Sequence, residues 1–180
     1  MPSSTPKAKL SPRDIAVFSV LSAMMLLSRI SMQWLPGVHP LGLLIAVSTL
    51  TYGRRALVPL YAYILLDGVF AGFSMWWMPY LYIWLPLWGM FMLLGRLECS
   101  PKIKAPLYML ACGLHGLSFG LLYAPAQALM FGFNFRMTMA WVIAGLPFDM
   151  VHALSNFAIG SLILPLSILL KRLENGTFRG

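Results

Sequence analysis

Charge is what this chain has least of. Only 10% of its 180 residues are Asp, Glu, Lys or Arg, and just five of those are acidic. A soluble domain of this length needs far more charge to cover its surface. Cysteine is scarce too. Cys99 falls on a connection between apolar segments and Cys112 just inside the fifth one, so a disulfide on the reducing side is not expected. No glycine-rich phosphate loop appears. No internal repeat or inverted symmetry is visible, which argues against the common secondary-transporter folds. These absences leave no room for a soluble catalytic or nucleotide-binding domain, and no cofactor is expected. Any energy for active transport has to come from a partner or an ion gradient.

What the chain has instead is apolar length: 59% of residues are hydrophobic and mean hydropathy is +0.78. About 20 apolar residues cross a bilayer. The apolar runs lie at roughly 14–35, 39–53, 56–73, 79–95, 105–124 and 139–170. The sequence therefore predicts an all-α integral membrane protein of six transmembrane helices. Its parts are a tail at 1–13, a six-helix domain at 14–170 and a tail at 171–180. No small-residue cleavage site follows a short apolar run, so the first segment is expected to serve as an uncleaved anchor. The second segment is short, which suits a re-entrant helix or a thin stretch of bilayer. Pro59, Pro86, Pro147 and Pro165 lie within spans and invite kinks.

The positive charges alternate. Lys7, Lys9 and Arg13 precede the first segment, Arg54 and Arg55 follow the second, Arg96, Lys102 and Lys104 follow the fourth, and Lys171, Arg172 and Arg179 follow the sixth. The other connections hold only Arg136. The positive-inside rule makes both termini cytoplasmic and leaves three outer loops, 34–40, 74–79 and 124–138. A net charge of +8 spread over inner loops fits anionic lipid headgroups better than nucleic acid.

Aromatics crowd the outer end. Trp76, Trp77, Tyr80, Tyr82 and Trp84 fall within nine residues, with Trp88 just beyond. An interfacial belt accounts for some rings; a pocket of stacking surfaces is the other reading. The run holds more rings than a belt needs, so some are expected to point inward.

Each ionisable residue inside a span is a candidate for function. Arg29 sits in the outer half of segment one, Asp67 past the middle of segment three and His115 halfway along segment five. Asp149, His152 and Asn156 share one face of segment six at i, i+3 and i+7. A lone buried charge is costly, so Arg29 is expected to pair with Asp67 or Asp149. Asp149 and His152 either bond helices together or brace a ligand cavity. Asp67 and Asp149 lack the motifs of intramembrane aspartyl proteases. His39, His115 and His152 lie at three depths, a poor metal site.

Ala16, Ser19, Ser22 and Ala23 form a small patch on segment one, and Ser19 and Ala23 are a small-xxx-small pair that permits close helix approach.

Taken together the chain resembles the substrate-binding S components of energy-coupling factor (ECF) vitamin transporters. The resemblance rests on size and topology, on Ser19-Val20-Leu21-Ser22-Ala23, and on the Pro36-Gly37 turn. It rests also on Tyr52-Gly53-Arg54-Arg55 and on the stretch from Gly145 to Phe157. Ser19 stands where the family's docking pattern has an alanine. The resemblance implies a specificity subunit in a prokaryotic plasma membrane, not an enzyme, binding a vitamin-like solute near the outer face. It implies a separate transmembrane coupling protein and two ATPase subunits as partners, with docking through Ser19 and Ala23. The residues expected to contact the solute are Gln33, Trp34, Trp76, Tyr80, Trp84, Gln127, Asn134 and Trp141, with Arg29, Asp149, His152 and Asn156 anchoring it deeper. The alternatives are an ion-coupled carrier using Asp67, Asp149 and His152, a membrane-embedded enzyme, and an assembly factor with no ligand.

Overall fold

A computed structural model describes residues 10–35 and 37–176. Lys7, Lys9, Pro36 and Arg179 lie outside the described residues. Every element among the described residues is helical: α1 Pro12–Ser31, α2 Leu41–Tyr52, α3 Leu57–Ala71, α4 Tyr80–Ile83, α5 Leu85–Leu94, α6 Pro101–Leu117, α7 Phe119–Phe131, α8 Phe135–Ile159 and α9 Ile163–Glu174. Single 3₁₀ turns at Gly53–Ala56 and Gly160–Leu162 join α2 to α3 and α8 to α9. Four stretches are long and apolar enough to cross a membrane: Pro12–Ser31, Leu41–Ala71, Pro101–Phe131 and Phe135–Glu174. Tyr80–Leu94 is apolar but shorter.

The outward surface is greasy. Phe70, Leu129, Phe135, Phe148 and Leu154 are each at least 69% exposed. An apolar surface of this extent is a liability in water and ordinary in lipid.

The stretch from Leu41 to Ala71 is two antiparallel passes. Leu41 lies beside Arg29, Arg55 reaches Asp14 at 2.6 Å, and Asp67 is again beside Arg29. Gly53, at φ +58°, makes the reversal without the steric penalty that a side chain would bring. α2 is buried almost all round, from Leu41 through Thr49, with α1, α5 and α9 packed against it. Its 12 residues extend about 18 Å, too short to cross a bilayer core of about 30 Å alone. Protein, rather than lipid, surrounds most of it.

The end of the bundle that carries Arg13 and Arg55 is tied by polar contacts. Ser11 and Asp14 form a reciprocal cap that starts α1 at Pro12, two residues before the expected boundary. Arg13 donates to the last carbonyls of α9, Leu173 at 3.1 Å and Glu174 at 3.0 Å, and lies 3.6 Å from the Glu174 carboxylate. A cation at a helix C-terminus meets the negative end of its dipole. The first and last helices are thereby joined.

One expectation changes here. The 124–138 loop is mostly helix: α7 runs to Phe131, Gly132 closes it at φ +66°, and Asn134 opens α8. Ala, Leu and Met dominate 126–130 and carry the helix past the expected boundary. The four prolines within spans also differ in where they fall. Pro59, Pro86 and Pro165 fall in the first turns of α3, α5 and α9, where the missing N–H costs little. Pro147 alone of the four sits inside its helix, α8.

α6 and α8 share the most extensive helix contact, continued by α7. Glycine makes it close. A methyl group on Gly116 would stand 2.8 Å from the His152 carbonyl oxygen, and one on Gly120 would stand 2.5 Å from the Asp149 carboxylate. Gly113, Gly116 and Gly120 form a stripe of the kind that brings helix backbones together in lipid.

Candidate ligand pocket

Opposite the Arg13 end, the last turn of α1, the connection 32–40 and the starts of α2 and α4 surround a cavity of about 190 Å³. Its walls include Arg29, Gln33, His39, Tyr63, Tyr80 and Trp84. Gly37, at φ +75°, folds the 32–40 connection onto α8; a methyl group there would lie 3.4 Å from the His152 backbone nitrogen.

Arg29 is the cation of the pocket. Its Nη1 stands 2.9 Å from Asp67 Oδ1 on α3, and its guanidinium lies 5.2 Å from the centre of the Trp76 ring. The Asp67 side chain is wholly buried, whereas that of Arg29 is 26% exposed. Neither Asp67 oxygen receives an aligned hydrogen bond, although the ion pair is short. The contact is therefore mainly charge on charge, and most of the five guanidinium N–H donors remain free for another acceptor.

Three residues of the wall also carry buried polar atoms without a partner. The Tyr63 hydroxyl, the Trp84 indole N–H and His39 Nδ1 find no hydrogen-bond partner among the described residues. Tyr63 is 0% and Trp84 2% exposed. A buried polar group without a partner costs about 1–3 kcal/mol. Groups of this kind seldom stand idle in a folded protein, and several around one cavity mark a place where a polar molecule can sit.

Aromatic rings frame the cavity in a chain of edge and tilted contacts. Trp76 meets Tyr80 at 5.5 Å, Tyr80 meets Trp84 at 5.9 Å, and Trp84 meets His115 at 5.5 Å and Phe119 at 5.8 Å. Phe119 and His39 both stand 4.9 Å from the His152 ring. His115 Nε2 donates to the Ile83 carbonyl at 2.8 Å, because that oxygen can only accept. Trp77 donates to Ile64 at 2.7 Å, locking the 72–79 connection over α3.

The expected contact residues divide. Arg29, Gln33, Tyr80 and Trp84 line the cavity, and Trp76 supports Arg29. His152 packs under His39. Trp34 is 73% exposed, its N–H spent on the Ser31 carbonyl, and does not line the pocket. Asn134 accepts from Met137 N–H at 2.9 Å as the cap of α8. Trp141 stacks on Tyr123 at 6.1 Å, and Gln127 is half-buried on α7; neither lines the cavity. Asp149 accepts from the Gly120 N–H at 3.1 Å, a bond between α7 and α8. Asn156 faces α2, where a methyl group on Gly42 would stand 3.6 Å from its oxygen. The groups of the carrier reading thus have separate surroundings: Asp67 beside Arg29, Asp149 on Gly120, His152 against His39.

The small patch on α1 also divides. Ser22 is buried and reaches the Phe18 and Pro59 carbonyls at 2.7 and 3.0 Å, joining α1 to α3. Ala16, Ser19 and Ala23 face outward. Among the described residues no three His, Cys, Asp or Glu side chains gather as a metal site.

Tyr63 and His39 are pocket residues that sequence reasoning did not choose. Tyr63 precedes Asp67 by four residues and so shares its face, a signal present in the sequence. His39 carries no such signal; the fold of the 32–40 connection places it.

No family of proteins, no characterised protein and no solved structure matches this chain.

Proposed function

We propose that this chain is the solute-binding subunit of an ATP-driven importer of the ECF type. It would cross the plasma membrane of a prokaryotic cell six times with both termini in the cytoplasm. The observation that carries the reading is the cavity framed by Arg29, Tyr63, Tyr80 and Trp84, whose aromatic wall residues include buried polar groups without a partner. The connections at that end are nearly free of Lys and Arg, which supports an outward-facing cavity under the positive-inside rule. Energy then comes from a transmembrane coupling protein and two ATPase subunits, with the outward small face at Ser19 and Ala23 meeting the coupling protein.

A volume of about 190 Å³ falls below the range of roughly 300–1,000 Å³ usual for drug-sized ligands. A compact solute of one or two rings fits it; a folate or a corrinoid does not without a wider opening. Native mass spectrometry of the gently purified chain tests the reading. A co-purified heterocyclic solute, and ATP-dependent uptake of it when the coupling subunits are supplied, is the expected result. An empty chain that also takes up solute in vesicles without ATP or partner subunits overturns it.

A further inference from the structure

The charges at the pocket narrow the class of solute further. This step rests on the solute-binding reading above. Arg29 is the one Lys or Arg side chain on the described cavity wall, and Asp67, buried behind it, already balances its charge. A carboxylate solute would therefore bring an unbalanced negative charge into a partly buried site, which is costly unless a second cation meets it. His39 is the remaining candidate on the wall, but a proton there would set two cations around one small cavity. Asp149 adds no positive charge from α8, and the other nearby ionisable groups are phenols and the rings of His115 and His152. A cationic solute fares no better, since it would face the Arg29 guanidinium directly.

The unpartnered polar groups of the wall residues are mostly donors. The Trp84 indole can only donate, the Arg29 guanidinium can only donate, and the Tyr63 hydroxyl has a hydrogen to give. Their complement is an acceptor edge: a lactam or amide carbonyl beside a ring nitrogen. The Trp84, Tyr80 and Trp76 rings supply faces and edges for a flat molecule. We propose that the cavity selects an uncharged planar heterocycle of one or two rings that presents a carbonyl acceptor edge, and rejects its carboxylate and cationic analogues.

Ring series of constant shape and varied charge test this. Isothermal titration of the purified chain would use nicotinate, nicotinamide and 1-methylnicotinamide, with uracil against orotate and pterin against pterin-6-carboxylate. The expected result is that in at least one series the neutral member binds, with about tenfold or greater preference over its charged relatives. Trp84→Phe keeps a ring and deletes the donor, and Tyr63→Phe does the same for the hydroxyl. Each should weaken the neutral ligand by about tenfold. A charged member binding as well as the neutral one overturns the charge argument and leaves the solute-binding reading standing. Wild-type affinity in both variants overturns the contacts. Binding of no member in any series overturns the proposal as well. Mass spectrometry and vesicle uptake then decide the broader reading: a retained solute of another class keeps it, and an empty chain that takes up solute without ATP or partner subunits removes it.

Discussion

The Arg29–Asp67 pair makes an unequal prediction about its two halves. Asp67 has no exposed side-chain surface, while the Arg29 side chain is 26% exposed and borders the cavity. Removing the arginine strands a buried carboxylate with no cation at hand. Removing the carboxylate leaves a guanidinium that can turn toward the cavity and its water. Breaking a buried pair by deleting one partner costs about 3–5 kcal/mol, and Arg29→Met should fall in that range. Asp67→Asn keeps shape and removes charge, so its cost should be nearer that of a lost hydrogen bond to a charged group, about 1.5–3 kcal/mol. At about 2–4 °C per kcal/mol for a chain of this length, Arg29→Met should lower the melting temperature by roughly 6–20 °C and Asp67→Asn by roughly 3–12 °C. The double variant Arg29→Met/Asp67→Leu should recover most of the loss, because an apolar pair of similar volume replaces a charge pair that is only modestly net stabilising.

The assay is thermal unfolding in detergent, followed by tryptophan emission, on the wild type and these three variants. An Asp67→Asn loss equal to or larger than that of Arg29→Met would refute the reasoning, since it would mean that the carboxylate is not the more confined partner. A double variant as unstable as Arg29→Met would refute it too, since the stranded carboxylate is then not the source of the cost.

Three other outcomes follow from particular contacts. Gly116→Ala should destabilise by about 1–3 kcal/mol, because the new methyl group meets the His152 carbonyl, which is backbone and cannot turn aside; the same substitution at Gly89, which has open space around it, should cost nothing measurable in the same melt. Asp14→Asn should lower the melting temperature only slightly through its ion pair with Arg55, whose side chain is 43% exposed, and that part should vanish in 1 M salt. Ser19→Leu and Ala23→Leu should abolish co-purification with a coupling protein while leaving the melting temperature and solute binding intact, because both side chains face outward; normal co-purification of both would count against that docking face.

The parts of this fold that the sequence announces are those set by local chemistry. The hydropathy runs and the Gly53-Arg54-Arg55 turn mark α2 and α3 closely, whereas the break that divides 79–95 into α4 and α5 carries no such mark. The hairpin after α7 shows the limit. Gln127 and Arg136 lower the local hydropathy, and the stretch between them reads as a loop. The stronger signals were Gly132 and Asn134, the residues that end one helix and start the next. Asn134 then looks like a ligand contact only while its segment is taken for a loop; once it caps α8, its oxygen is occupied.

The site is less legible than the helices because it depends on the register between them. Arg29 announces that it needs an acid, but Asp67 and Asp149 satisfy that need equally well on paper. The glycine stripe decides between them. Gly120 brings the α7 backbone against α8 closely enough for its N–H to reach the Asp149 carboxylate, and this leaves Arg29 to Asp67. The stripe was visible as Gly113, Gly116 and Gly120 at spacings of three and four, the pattern of a close helix contact. Reading it would have predicted α6–α8 packing, assigned Asp149 to that seam, and turned Tyr63, one turn before Asp67, toward the remaining cation. The seam and the pocket meet at His152, whose carbonyl lies against Gly116 and whose ring packs on His39.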